Sequence, residues 1–139
     1  MTYRAFAALS ALALLASASA FAQSDPIKFD IPFAFHVGDR ILPAGKYSVT
    51  PSTGQTHALT IRGIENKTGL MVLTDGVYTL RRPSAPTLEF MRYGRDFFLE
   101  RFQDPGYDVG RQLHPSKTEM LIAAKAAETK PHLIVLAAR

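Results

Sequence analysis

The fold is decided by the stretch Ile27-Lys28-Phe29-Asp30-Ile31-Pro32-Phe33-Ala34-Phe35-His36-Val37. Its odd-numbered positions are all apolar, and its even-numbered positions are charged, small or polar, apart from Pro32. Because successive side chains of a strand point to opposite faces, this alternation predicts one strand with a single buried face and leaves His36 exposed. Pro32 has no amide hydrogen for a neighbouring strand, so we expect the strand to lie at a sheet edge or to bulge there.

Two further strands are expected beyond this stretch. The sequence Pro43-Ala44-Gly45 has the chemistry of a tight turn, because proline fixes φ and glycine accepts a positive φ. The strand Lys46–Thr50 should follow it, with Tyr47 and Val49 facing the core. Thr56–Arg62 repeats the alternation and is predicted to be the next strand.

A different pattern follows the turn expected at Glu65–Gly69. The run Leu70–Thr74 is apolar without alternation, which is typical of a strand buried on both faces. Asp75-Gly76 is a strong hairpin sequence. We therefore predict that the chain reverses direction there and returns as Val77–Leu80.

A second hairpin is predicted from the strands Thr87–Tyr93 and Phe97–Gln103. A two-residue loop between them would set Glu89 directly opposite Glu100, and like charges in that position are destabilising. A three-residue loop instead places Glu89 opposite Arg101 and pairs the two strand ends, Tyr93 with Phe97. The charges favour the three-residue loop.

The end of the chain carries the one predicted helix. Ser116-Lys117-Thr118-Glu119 matches a capping box, in which the serine hydroxyl and the glutamate carboxylate bind amides of the first turn. Pro131 limits the helix to Lys117 through about Thr129. One side of the helix is apolar, and its alanines suggest close packing against a sheet. That side consists of Met120, Ala123, Ala124 and Ala127. A final apolar strand, His132–Ala137, should be central or paired with the first strand.

Together these elements predict a mainly β protein with one domain. About eight strands, one C-terminal helix and a final strand are typical of an antiparallel β-sandwich or a partly closed barrel. A chain of this length can bury a core that needs no metal or disulfide. No cysteine is present, so neither a disulfide nor a lipid-anchored lipoprotein is compatible with the sequence.

The first 22 residues are typical of a cleavable secretory signal. Arg4 is their only charged residue, an uncharged apolar segment follows, and Ala20-Phe21-Ala22 places small side chains at the peptidase site. An uncleaved membrane anchor is the alternative, but the apolar run is short for a spanning helix and rich in Ala and Ser. We predict export to the periplasm or the exterior, a single domain over residues 23–139, and no transmembrane segment after cleavage.

The charge of the mature chain argues against a nucleic-acid partner. The sequence has 16 basic and 12 acidic residues; without Arg4 the count is 15 and 12, a net charge of +3. Nucleic-acid binding usually requires basic residues clustered on one face, and here they are scattered. The expected partner is an envelope protein, a glycan or a small ligand.

The opening of the mature chain resembles a family of small exported bacterial proteins that is abundant in acidobacterial genomes. The family opening "VPFxFxVG…LPAGxYxV" is similar to Ile31-Pro32-Phe33-Ala34-Phe35-His36-Val37-Gly38 and to Leu42-Pro43-Ala44-Gly45-Lys46-Tyr47-Ser48-Val49. The likeness continues at Arg92-Tyr93-Gly94, Phe97-Phe98-Leu99 and Gly110-Arg111-Gln112-Leu113. These motifs consist of turn and core residues, so the resemblance implies a fold and carries over no catalytic residue. The sequence departs from the family at Met120–Ala127, which is mostly apolar where similar chains have a more charged helix.

No catalytic, cofactor or metal motif is recognisable. The four histidines, His36, His57, His114 and His132, lack the close spacing of a zinc site. A Ser-His-Asp site could assemble from distant positions, but the Gly-x-Ser-x-Gly elbow is missing. The segment Asp104–Asp108 could offer oxygens to calcium, yet calcium loops have denser acidic spacing, so a plain turn is favoured.

The best candidate surface combines arginine with aromatic side chains. Such pairs can hold an anion or a sugar ring by ion pairing and stacking. The alternative is that these arginines pair with Glu89, Asp96 and Glu100 and cover the sheet with their stems. The candidate residues for a ligand or partner are Arg92, Tyr93, Arg95, Phe97, Arg101 and Arg111.

Three functions remain open at this point. The leading hypothesis is a non-enzymatic exported β module that binds an envelope component or a partner. The second is a small carrier that holds an apolar ligand inside a barrel, and it requires that Phe29, Phe33, Leu59 and Met71 line a void. The third is a hydrolase with a site assembled across strands.

Overall fold

The computed structural model describes residues 25–52, 57–126 and 128–139, so the predicted signal at residues 1–22 lies outside the described residues. The described part is mainly β, with one helix, α1, near the end of the chain, as predicted. The elements are β1 Ile27–Ile31, β2 Phe35–Val37, β3 Arg40–Leu42, β4 Gly45–Pro51, β5 Ala58–Gly63, β6 Gly69–Tyr78, β7 Thr87–Tyr93, β8 Asp96–Gln103, β9 Val109–Leu113, α1 Lys117–Lys125 and β10 His132–Ala137.

The ten strands that the structure describes pair into one mixed sheet that does not close. The main path runs β1-β4-β5-β6-β9-β8, and β8 continues through its other edge to β7 and then β10. The hairpin β2–β3 joins β8 through the parallel pair His36 and Phe98, while the other pairings are antiparallel. The two ends of the path meet at one backbone hydrogen bond, in which the amide of Arg139 donates to the carbonyl of Lys28 at 3.2 Å.

The core lies on the inner face of this sheet and is rich in aromatic rings. Phe35 packs edge-on against Tyr47 at 5.2 Å and against Phe90 at 5.5 Å between ring centroids. The inward orientation predicted for Tyr47 and Val49 is confirmed. The buried phenol of Tyr47 donates to the carbonyl of Pro43 at 2.6 Å and accepts from Asn66 Nδ2 at 3.0 Å, so its polar atom is satisfied.

The stretch Ile27–Val37 is not one strand, although its alternation up to Phe35 is correct. β1 is an edge strand that ends at Ile31, next to Pro32, and the chain then crosses to β2, which pairs with β3 and β8. The prediction that His36 is exposed is wrong. Because β2 lies beside β8, the ring of His36 stacks on Phe98 with centroids 4.2 Å apart, and the residue is only 8% exposed.

The hairpin predicted at Asp75-Gly76 is absent from the described chain, since β6 runs straight through it. The first half of β6 pairs with β5 and the second half, from Thr74 onward, pairs with β9. The burial predicted for Leu70–Thr74 on both faces is also wrong. Met71 and Leu73 lie on the outer face and are 69% and 68% exposed, because nothing described covers that half of β6.

The second hairpin combines both registers considered above. Its loop is the two-residue Gly94-Arg95, with φ of 60° at Gly94, so Tyr93 lies opposite Asp96 and the predicted pairing of Tyr93 with Phe97 is wrong. A bulge then shifts the register between Glu89 and Phe90 and brings Glu89 opposite Arg101, as predicted.

The predicted helix cap is confirmed, but the predicted packing of the helix is wrong. The amide of Glu119 donates to the hydroxyl of Ser116 at 3.1 Å. The helix α1 ends at Lys125, earlier than expected, and no residue of it that the structure describes is buried. Ala127 lies outside the described residues. α1 is tied to the sheet at its start, where the hydroxyl of Thr118 donates to Asp39 Oδ1 at 3.0 Å.

The final strand is neither central nor in a ladder with the first strand. β10 pairs with β7 alone among the described strands, and beyond its end the amide of Arg139 donates to the carbonyl of Lys28 in β1. Its alternation places Ile134 and Leu136 against the core and leaves Leu133 and Val135 exposed. Among the described residues, no helix has the length and apolar character needed to cross a membrane.

Candidate functional site

The six predicted surface residues do not form one site. Four of them, Arg92, Tyr93, Arg95 and Phe97, lie at the tip of the β7–β8 hairpin. Arg101 lies in the middle of β8, and Arg111 lies in β9 at the opposite end of the paired strands. The structure therefore divides the candidates into a hairpin tip, a strand interior and a sheet end.

At the hairpin tip, the arginine and the aromatic rings contact one another. Arg92 Nε donates to the carbonyl of Gly94 at 2.7 Å, and its guanidinium carbon lies 5.3 Å from the centroid of Phe97. Phe97 in turn stacks on Phe33, with centroids 3.9 Å apart. These contacts hold Arg92 against the hairpin itself, although it pairs with none of the three carboxylates that the shielding alternative named.

Tyr93 points to the other face of the hairpin from Arg92, near the carboxylate of Glu119. Its ring meets Phe98 edge-on at 5.9 Å. Burial raises the pKa of Tyr93, and the nearby carboxylates of Glu119 and Glu100 raise that pKa further. Tyr93 therefore lies near two carboxylates on its own side of the hairpin.

The guanidinium of Arg101 is bound by side chains of the two neighbouring strands. Its NH1 atom lies 3.5 Å from Glu89 Oε2, and its NH2 atom donates to Gln112 Oε1 at 3.2 Å. The side chains of Arg101 and Glu89 are 30% and 15% exposed, so the pair is largely shielded from water. Arg101 therefore links β7, β8 and β9 and presents little to a partner.

Arg111 faces a cavity at the end of the sheet, which we call the end cavity. Its volume is about 410 Å³. The residues that line it are Pro51, Ser52, Phe102, Asp104, Tyr107, Asp108, Val109 and Arg111.

Four pieces of chain build the end cavity. β4 ends at Pro51 on one side, β8 supplies the floor through the buried ring of Phe102, and β9 carries Arg111 directly opposite Phe102. The turn Asp104–Asp108 closes the remaining side. The plain turn predicted there is confirmed, since the amide of Tyr107 donates to the carbonyl of Asp104 at 3.0 Å.

The guanidinium of Arg111 is held in place by two contacts. Its NH2 atom donates to the carbonyl of Ser52 at 3.2 Å, and its NH1 atom contacts His57 Nδ1. Arginine can only donate, so His57 Nδ1 is the acceptor in this contact. The cation is thereby oriented before any ligand arrives.

The charges around the cavity are not equally compensated. Asp108 pairs with Arg82, and Asp104 Oδ1 accepts from the amide of Gly106 at 2.9 Å. By contrast, no carboxylate in residues 25–52, 57–126 and 128–139 forms an ion pair with Arg111. The rest of the sequence contains no Asp or Glu. Arg111 is therefore a partly buried cation without a carboxylate partner, beside a largely apolar wall.

Most of this lining was not predicted from the sequence. Asp104–Asp108 was predicted to be a turn, with a calcium loop as the alternative, and no pattern connected that turn with Arg111. The available clue was the position of the turn, which immediately precedes the strand that carries Arg111. Pro51 and Ser52 come from a distant part of the chain, and no local pattern joins them to β9.

The side chains required by the carrier hypothesis do not share a void. Phe29 and Leu59 belong to the packed core, Phe33 is stacked on Phe97, and Met71 points outward.

Two of the histidines lie close to carboxylates outside the end cavity. His36 Nε2 lies 3.4 Å from Asp96 Oδ1, and His114 Nε2 lies 3.0 Å from Asp75 Oδ2. No group of three His, Asp or Glu side chains suited to a metal ion occurs among the described residues.

No family model, no curated protein and no solved structure matches this chain, so its function has to be argued from the geometry of its own residues.

Proposed function

We propose that this protein is an exported, non-enzymatic β module that binds a small component of the cell envelope in the end cavity. The observation that carries the proposal is Arg111, a partly buried cation that two contacts hold in place and that has no carboxylate partner among the described residues. Its remaining N–H groups belong to a side chain that lines the cavity, where a ligand with hydrogen-bond acceptors would bind them.

The shape and lining of the end cavity support this assignment. Ligand sites are typically concave, mostly apolar and furnished with a few convergent polar groups, with volumes of about 300–1,000 Å³. The end cavity has about 410 Å³, a floor of Phe102 and a rim of Asp104, Tyr107 and Arg111. The hairpin tip is less suitable, because Arg92 is already engaged by Gly94 and Phe97.

The polar contacts in the cavity favour binding over hydrolysis. A catalytic histidine of a Ser-His-Asp site donates from one ring nitrogen to a carboxylate and accepts a proton from serine at the other. Here His57 Nδ1 faces the guanidinium of Arg111, and no described carboxylate forms an ion pair with this ring. The hydroxyl of Ser52 accepts from the amide of Ala58 at 2.9 Å, so it serves the backbone.

Export rests on the sequence of the first 22 residues, whose apolar segment and Ala20-Phe21-Ala22 site are typical of a cleaved signal. A domain without cysteine that relies on its packed aromatic core would fold in an envelope compartment regardless of the redox state there. The ligand would then be an envelope or extracellular compound.

Native mass spectrometry of the protein purified from its own host tests the proposal. We expect a chain that begins at Gln23 and carries a non-covalent adduct. The adduct should be lost in Arg111→Met and retained in Arg95→Met, which removes an exposed arginine from the hairpin loop. A bare mass for the wild-type protein, or an adduct that Arg111→Met does not affect, would contradict the proposal.

A further inference from the structure

We infer that the ligand of the end cavity is a short neutral saccharide. The inference rests on the proposed function and adds the chemical class of the ligand. It is carried by the combination of a donor group with N–H bonds to spare, an acceptor group with one free carboxylate oxygen among the described residues, and an exposed aromatic ring, all lining the same cavity.

Arg111 supplies the donors. Arginine has five N–H groups in a fixed planar fork. The two contacts to Ser52 and His57 leave several of these groups available on a side chain that lines the cavity. Because these two contacts already orient the guanidinium, little conformational entropy is lost when a ligand oxygen binds.

Asp104 supplies the acceptor. Its Oδ1 atom accepts from the amide of Gly106, and this contact locks the carboxylate into the turn. Its Oδ2 atom has no hydrogen-bond partner among the residues that the structure describes, and Asp104 forms no ion pair with Arg111 or any other described cation. A ligand that both donates and accepts would therefore satisfy Asp104 and Arg111 together.

Tyr107 supplies the stacking surface. It is 58% exposed although it lines the cavity, so one part of its ring is open to a ligand. The face of an aromatic ring is weakly negative. The C–H groups on one side of a sugar ring are apolar and weakly positive, so they suit that face, while the hydroxyl groups at the ring edge can reach Arg111 and Asp104.

Charged ligands fit the lining less well. An acidic amphiphile would satisfy Arg111 but would bring a second negative charge towards Asp104, and a cation would meet Arg111. Hydroxyl groups both donate and accept without carrying a charge. A neutral polyhydroxylated ring is the class that meets both requirements.

Amide chemical-shift titration of the mature protein tests this inference, with cellobiose and N,N′-diacetylchitobiose as saccharide probes and sodium octanoate as the anionic probe. We expect saturable shifts at the amides of Asp104–Arg111 with at least one disaccharide and none with octanoate. Asp104→Asn keeps the bond to Gly106 but replaces one acceptor by a donor, and Tyr107→Ala removes an exposed ring. Each should weaken disaccharide binding by about tenfold, whereas Arg95→Ala should not.

The outcomes separate the inference from the proposed function. Octanoate binding at these amides without disaccharide binding overturns the inference and leaves a binding module. Disaccharide shifts confined to the hairpin tip also overturn the inference. When neither probe class binds, the adduct found by native mass spectrometry of the protein from its own host decides the matter. A sugar adduct supports the inference, and another compound overturns it. A bare wild-type mass overturns both the inference and the proposed function.

Discussion

Glu89 lies directly opposite Arg101, with Oε2 3.5 Å from NH1, although the two-residue loop of this hairpin would otherwise place Glu89 opposite Glu100. The difference comes from the bulge, which adds one residue to β8. A bulge shifts the register of everything beyond it. The protein thereby avoids a pair of facing carboxylates and gains an ion pair that is mostly shielded from water.

Removal of Arg101 should therefore destabilise the sheet. In Arg101→Met the apolar stem remains, but Glu89 loses its cation and Gln112 loses its donor. Hydrogen bonds to charged groups typically contribute about 1.5–3 kcal/mol, and we expect a loss of roughly that size in urea unfolding. In the double variant Glu89→Met/Arg101→Met no carboxylate is left unpaired, so it should be the more stable of the two. Equal midpoints for the wild type and Arg101→Met would refute this account of the pair.

Stability should also depend on the protonation of Glu119. Burial raises the pKa of this carboxyl above its ordinary value of 4.5, and Glu100 raises it further, while the hydrogen bond from the Ser116 backbone lowers it. A raised pKa in the folded state means that protonation favours folding. The contribution of Glu119 is therefore fully present below pH 4.5 and is lost as the pH rises through the pKa of the folded state.

The variant Glu119→Gln keeps a capping side chain but cannot ionise. Its stability relative to the wild type should rise as the pH increases from 4.5 towards neutrality, and below 4.5 the difference should be constant. Urea midpoints measured across this range provide the test, with Glu128→Gln as a matched exposed control. A difference that stays constant over the whole range would show that Glu119 is not perturbed by its surroundings.

Gly76 has a structural role that does not depend on a turn. A Cβ atom at this position would lie 2.9 Å from Val109 Cγ1, which is too close for two carbon atoms. Overpacking of this kind usually costs about 1–3 kcal/mol, so Gly76→Ala should lower the thermal midpoint measurably. The double variant Gly76→Ala/Val109→Ala removes the clashing methyl and should recover part of the loss. If the double variant recovers no stability, the loss in Gly76→Ala does not come from the contact with Val109.

The cap of α1 and its exposed face should contribute unequally to stability. Ser116→Ala removes the cap of the helix and should cost about 1 kcal/mol. Leu121→Ser changes a side chain that is exposed on α1, and exposed substitutions usually stay within about 0.5 kcal/mol. Thermal unfolding of both variants checks the order. A larger loss for Leu121→Ser would mean that this side chain is buried in solution.

The sequence correctly predicted the features that depend only on residues close to one another along the chain. The alternation in Ile27–Phe35 correctly assigns inner and outer side chains, and Ser116 caps α1 as the capping box predicts. The inward faces of Tyr47 and Val49 follow from the same period of two. In each case the physical cause is confined to a few residues, namely the pleat of a strand or the free amides of a first helical turn.

The sequence by itself determined which face of β1 and of β4 meets the core, whereas the tertiary structure decided which strands are neighbours. Period two carries no information about partners, so it could not show that β6 changes partner at Thr74 or that β2 lies beside β8 and buries His36. The end cavity depends on the same long-range pairing, because Pro51 and Ser52 reach Arg111 only through the fold of the whole sheet. Strand pairing is a contact between distant segments. Its energy depends on the residues of both segments, so the local pattern of one segment does not specify its partner.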